Sequence, residues 1–85
     1  MKEISFTVQC PEGLHARPAG MLTKKLKDYT CDVTLAKDGT AVNARKLFAI
    51  MTLLVKTGDQ VVMTFNGPDE ELAAEEILAF SRENL

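Results

Sequence analysis

Eighty-five residues hold apolar material for one core, so the sequence reads as a single domain over residues 1–85. An apolar fraction of 46% and a charged fraction of 26% sit near globular averages and exclude a disordered chain. The net charge of −2 and the few aromatic residues argue against nucleic acid, and the longest apolar stretch, 47–55, is too short for membrane insertion.

The chain opens on alternation. Ile4, Phe6 and Val8 interleave with Ser5, Thr7 and Gln9, the pattern of a half-buried strand. No apolar signal segment precedes it, which points to a cytosolic protein. Cys10-Pro11-Glu12-Gly13 then breaks the strand with a loop. A helix is predicted from about residue 16 to 28. Pro18 suits its first turn, and Pro18, Leu22, Leu26 and Tyr29 recur on one face. Strands over 31–35 and 40–42 flank a turn carrying Asp38-Gly39, a favoured pair for a tight hairpin.

A short helix is predicted over 45–55, ended before Gly58 with Lys56 near its C-terminus. A strand over 60–65 sets Val61, Met63 and Phe65 on one face. After Asn66-Gly67-Pro68 a last helix runs to about residue 83. Asp69, Glu70 and Glu71 fall in its first turn, and Ala73, Ile77 and Phe80 form its buried stripe. The order βαββαβα gives an α+β fold: a four-stranded antiparallel sheet covered on one face by three helices, its other face open to water.

Charge is uneven. Residues 14–56 hold eight Lys and Arg against three Asp, whereas residues 57–85 hold one Arg against seven acids. Ordinary solvated faces produce such runs, and so does a basic surface around His15 that attracts phosphate and acidic partners. Cys10 and Cys31 are too few for a disulfide framework and too far apart for a metal knuckle. No metal or cofactor is expected.

His15 is the only histidine and lies just before the first predicted helix. A helix start presents unpaired N–H groups and the positive end of the backbone dipole, which together stabilise an anion. The amides of Ala16 and Arg17 are available there, and Arg17 adds a fixed charge and a donor fork suited to phosphate oxygens. The same field disfavours a protonated ring, and a neutral imidazole is the nucleophile that attacks a phosphoryl donor. The competing reading is a plain surface residue, or one that only helps cap the helix.

The stretch Gly13-Leu14-His15-Ala16-Arg17-Pro18-Ala19 resembles the phosphorylation-site motif of HPr, the histidine phosphocarrier of the bacterial phosphoenolpyruvate-dependent sugar phosphotransferase system. Length, motif position, element order, the Asp38-Gly39 hairpin and the Lys56–Gly58 turn extend the resemblance to the whole chain. It implies an open-faced β-sandwich. It also implies that Enzyme I phosphorylates His15 on Nδ1, that Arg17 steadies the phosphoryl group, and that the A components of enzyme II permeases receive it. The protein is then a transiently phosphorylated carrier and not an independent enzyme.

The helix over 45–55 is apolar around nearly its whole circumference, and a helix lying on a sheet cannot bury every side. By resemblance Leu47, Phe48 and Met51 are docking positions, with Lys24 and Lys27 as a basic rim that tunes association rate. A monomer is expected.

Four positions depart from the family pattern. Lys46 replaces a serine that in many relatives caps the docking helix and is phosphorylated by a regulatory kinase, so that regulation is expected to be absent. Asn43 offers an alternative cap that would extend the helix by a turn. Leu54 stands where relatives usually have glycine, and Gly20 replaces alanine at about 1 kcal/mol of helix propensity unless packing needs it. Glu12 replaces a smaller polar residue; its charge is unfavourable beside a phosphohistidine, unless it orients the free imidazole. These departures keep a second function class open, an HPr-like paralogue that binds regulatory proteins under the control of His15 phosphorylation. A binding domain without phosphorylation is the third.

Overall fold

Alternation builds the sheet. In a computed structural model describing residues 1–85, β1 runs over Lys2–Thr7, β2 over Asp32–Lys37, β3 over Thr40–Asn43 and β4 over Gln60–Asn66. The strand order is β1-β4-β2-β3, and every pair is antiparallel. Register aligns Ile4, Met63, Leu35 and Val42 in one row across the inner face. The neighbouring row on the outer face is Glu3, Thr64, Thr34 and Asn43, which suits contact with water. Asp38 and Gly39 both take positive φ, 51° and 83°, so the two-residue hairpin turn forms as the sequence predicts.

Three helices cover the inner face: α1 (Ala16–Leu26), α2 (Leu47–Thr52) and α3 (Glu70–Asn84). Pro18, Leu22, Leu26 and Tyr29 are buried, as the predicted stripe requires. Leu22, Leu26 and Tyr29 share one core cluster with Val61, Met63 and Phe65 of β4 and Ala73 and Ile77 of α3. The architecture is the open-faced βαββαβα sandwich expected.

The helix ends differ from expectation. α2 is six residues long, well short of the predicted 45–55. Leu54 takes φ 54°, a left-handed conformation that ends the helix while its amide still bonds to the Met51 carbonyl at 3.2 Å. At the other end, Asn43 Oδ1 accepts the Arg45 amide at 2.9 Å and makes a local turn before the helix. Lys46 is therefore the N-cap and provides no side-chain hydrogen bond. Ile50 is the one fully buried side chain of α2, worth roughly 1.5–3 kcal/mol. In α1 the amides of Lys27 and Asp28 reach back only three residues, to Lys24 and Lys25, which tightens the last turn and stops the helix early. In α3 Ser81 is buried and Phe80 only half-buried, so the stripe is rotated from the predicted one.

Two polar struts hold the layers together. Arg45 donates to the carbonyls of Leu26 at 2.7 Å and of Tyr29 and Cys31 at 2.8 Å, fixing the end of α1 and the chain after it to the start of α2. Asp69 is the N-cap of α3 and not part of its first turn; its carboxylate turns outward to accept the Thr30 and Cys31 amides at 2.8 and 2.9 Å. Those amides hold Asp69 below the ordinary carboxylate value. Tyr29 also donates its phenol to Glu76, linking α1 to α3.

Candidate functional site

The loop before α1 is fixed by backbone contacts. Gly13 takes φ 67° and lies flat against residues 55–56, where a Cβ would come within 2.2 Å of the Val55 carbonyl oxygen. Only glycine fits both the conformation and the space. The same Val55 oxygen accepts the amide of buried Leu14 at 3.1 Å. The Thr57 hydroxyl reaches the carbonyls of Cys10 and Pro11 at 2.5 and 3.0 Å. Residues 10–14 are thereby clamped to the chain after α2.

This clamp delivers His15 to the N-cap of α1, with φ −84° and ψ −165°. Its carbonyl accepts the Ala19 amide at 2.9 Å, and its exposed ring makes no capping hydrogen bond. The ring is thus not a structural cap. Ala16 and Arg17 are exposed, their amides carry no backbone partner, and Pro18 is packed beneath them. An anion bonded to the ring would meet two free donors and the positive helix end.

Arg17 is engaged elsewhere. Its Nη2 donates to both oxygens of Glu12, at 2.9 and 3.0 Å, and Nη1 lies 3.7 Å from Met21 Sδ. Hydrogen bonding to Glu12, followed by its charge, raises the Arg17 pKa. Glu12 therefore bonds Arg17 and not the imidazole, and the guanidinium does not act on the ring as an uncompensated charge.

The predicted docking residues divide by exposure. Phe48 is 77% exposed, while Leu47 and Met51 are half-buried. Lys24 and Lys27 are exposed and follow Arg17 at helical spacing, so all three share one stripe of α1. Gly20 lies on that stripe with open space around it, so packing does not need it. The basic surface is smaller than the sequence count implies, because Arg45 points at carbonyls and Lys37 pairs with Asp59 at 3.0 Å.

Nothing in the residue pattern signals the roles of Arg45, Thr57 or the Glu12–Arg17 pair, since each joins segments that helix or strand spacing does not relate. The largest concavity, about 700 Å³, lies among Gly67, Asp69, Glu70 and Glu75 at the start of α3. His15 sits outside it, on an open surface.

Known proteins resemble this chain over nearly its whole length. Residues 2–83 match the family described as "PTS HPr component phosphorylation site". The HPr-like protein Crh of Bacillus subtilis is 38% identical over 85 residues, all of both chains. The phosphocarrier protein HPr of Borreliella burgdorferi is 37% identical over 70 residues, 82% of this chain and 81% of that one. Among solved structures, HPr-C-His from Thermoanaerobacter tengcongensis superposes with a TM-score of 0.93 at 31% identity, covering 99% of this chain and 94% of that one. The chain belongs to the HPr family of the phosphotransferase system, a family of small phosphocarrier proteins.

Proposed function

We propose that the protein accepts a phosphoryl group from phosphorylated Enzyme I on His15 and passes it to the A components of enzyme II sugar permeases. The observation that carries this reading is the exposed imidazole at the N-cap of α1, beside the unpaired amides of Ala16 and Arg17. The lone pair of a neutral ring nitrogen, Nδ1, forms the new N–P bond. The bond to the donor breaks with its electron pair left on the donor. The incoming oxygens take hydrogen bonds from Ala16 and Arg17, and the helix end offsets their charge. Transfer onward reverses these roles.

The partner covers the open surface and contributes the rest of the transition-state site. Phe48 is the principal apolar anchor, with Leu47 and Met51 beside it and Lys24 and Lys27 as the charged rim. In this reading the carrier acts as a cytosolic monomer. Lys46 provides no hydroxyl at the start of α2, so kinase regulation at that position is absent.

The 38% identity to a protein called HPr-like supports a second reading, in which His15 phosphorylation switches binding to regulatory proteins. The two part on one experiment. The phosphorylated protein is mixed with a panel of permease A components and the group is followed by mass. Its movement from His15 to an A component supports the transport carrier. Retention on His15, with binding that depends on the phosphoryl group, supports the regulatory module.

A further inference from the structure

We infer that Glu12 is an internal competitor for the Arg17 guanidinium, so that stabilising a phosphoryl group on His15 requires Arg17 to leave it. The inference deepens the carrier reading and rests on it.

The ion pair occupies the part of Arg17 that would otherwise meet phosphate. Both Glu12 oxygens sit on Nη2, at 2.9 and 3.0 Å, and Met21 Sδ lies 3.7 Å from Nη1. Glu12 cannot drift away easily. Gly13, next to it, is wedged against the Val55 carbonyl, and Thr57 holds the carbonyls of Cys10 and Pro11 on its other side. The carboxylate is therefore held in the clamped loop three residues before the phosphoryl acceptor, paired with Arg17 two residues after it. It matches a phosphoryl group as a partner for a guanidinium, offering planar oxygens and negative charge.

The consequence follows from the transfer step. As the N–P bond forms on His15 and the donor's bond breaks, two or more negative oxygens arrive at a helix end whose one nearby guanidinium is already paired. Recruiting Arg17 frees a second anion, the Glu12 carboxylate, within the same loop. Both effects disfavour the phosphorylated form relative to a protein lacking the carboxylate. Glu12 is a positioning residue acting through Arg17: it slows acceptance and makes the phosphoryl group easier to give away.

The test compares wild type, Glu12→Gln, Arg17→Ala and the double variant, with phosphorylated Enzyme I as donor. Glu12→Gln is expected to raise kcat for acceptance about two- to fivefold, the scale of one exposed ion pair, with KM unchanged. It should shift the exchange equilibrium toward phospho-His15 by a similar factor. In the Arg17→Ala background the gain should be clearly smaller, because only the direct repulsion by the carboxylate is then removed. Identical behaviour of Glu12→Gln and wild type would overturn the inference, and so would an equal gain without Arg17. A second arm loads His15 with phosphoramidate, which needs no protein donor, and follows hydrolysis. A longer-lived phosphohistidine in Glu12→Gln, again with a smaller effect once Arg17 is replaced, supports the competition even where Enzyme I fails to load the protein. In that case the donor reading falls alone. An unchanged lifetime alongside normal loading by Enzyme I sinks the competition and leaves the carrier intact.

Discussion

Gly13 lies against the Val55 carbonyl so closely that a single added carbon would sit 2.2 Å from the oxygen. The contact joins the loop before His15 to the chain after α2, and so ties the start of α1 to the end of α2. Gly13→Ala forces the loop away from residue 55 and strains a backbone held at φ 67°. The expected cost is about 1–3 kcal/mol, read as a lower denaturation midpoint, together with slower phosphorylation of His15. Normal stability in that variant would mean that the loop yields without effort.

Arg45 is the second device that locates α2. Its fork serves three carbonyls, those of Leu26, Tyr29 and Cys31. Arg45→Ala leaves them without their charged donor and should lose about 2–3 kcal/mol in urea unfolding. Arg45→Lys should restore little, because an ammonium does not reproduce the fork.

Leu54 supplies the opposite case. It is 71% exposed and takes φ 54°, a conformation disfavoured for side chains with a Cβ. Leu54→Gly should raise stability by about 0.5–1 kcal/mol with an unchanged denaturant slope. A loss of stability would show that the exposed side chain packs in solution.

These points mark what the sequence carries and what it does not. Strand alternation and the Asp38-Gly39 pair place the strands to within about two residues and the hairpin to the residue, because period and turn chemistry are local, whereas the strand order is not legible from period. The length of α2 is not legible, since an apolar circumference has no phase and leucine is not a recognised stop. Gly13 reads as an ordinary turn glycine until Val55 is seen beside it. His15 and Arg17 are legible through their motif, whereas the Glu12–Arg17 pair spans a loop–helix boundary and follows no spacing rule.

Acid should unfold the protein through its bonded carboxylates. Asp69 is lowered from 3.8 chiefly by the Thr30 amide, Asp59 from 3.8 by the Lys56 amide and Lys37, and Glu70 from 4.5 by the N-terminal amine. A depressed folded-state pKa stabilises the fold above the unfolded value, and that contribution disappears as pH falls through the folded one. The melting temperature should therefore be level above about pH 5 and fall below the ordinary carboxylate range. Asp69→Asn should lower the plateau and flatten the acid limb. An acid limb of wild-type steepness in that variant would exclude Asp69 as a contributor.

Phosphoryl acceptance by His15 is open to a simple measurement. Incubation with phosphoenolpyruvate, magnesium and a bacterial Enzyme I, followed by intact-mass measurement, tests it most directly. One added, acid-labile phosphoryl group is expected in the wild type and none in His15→Ala. No added mass in the wild type, with the same Enzyme I active on another HPr, would contradict it.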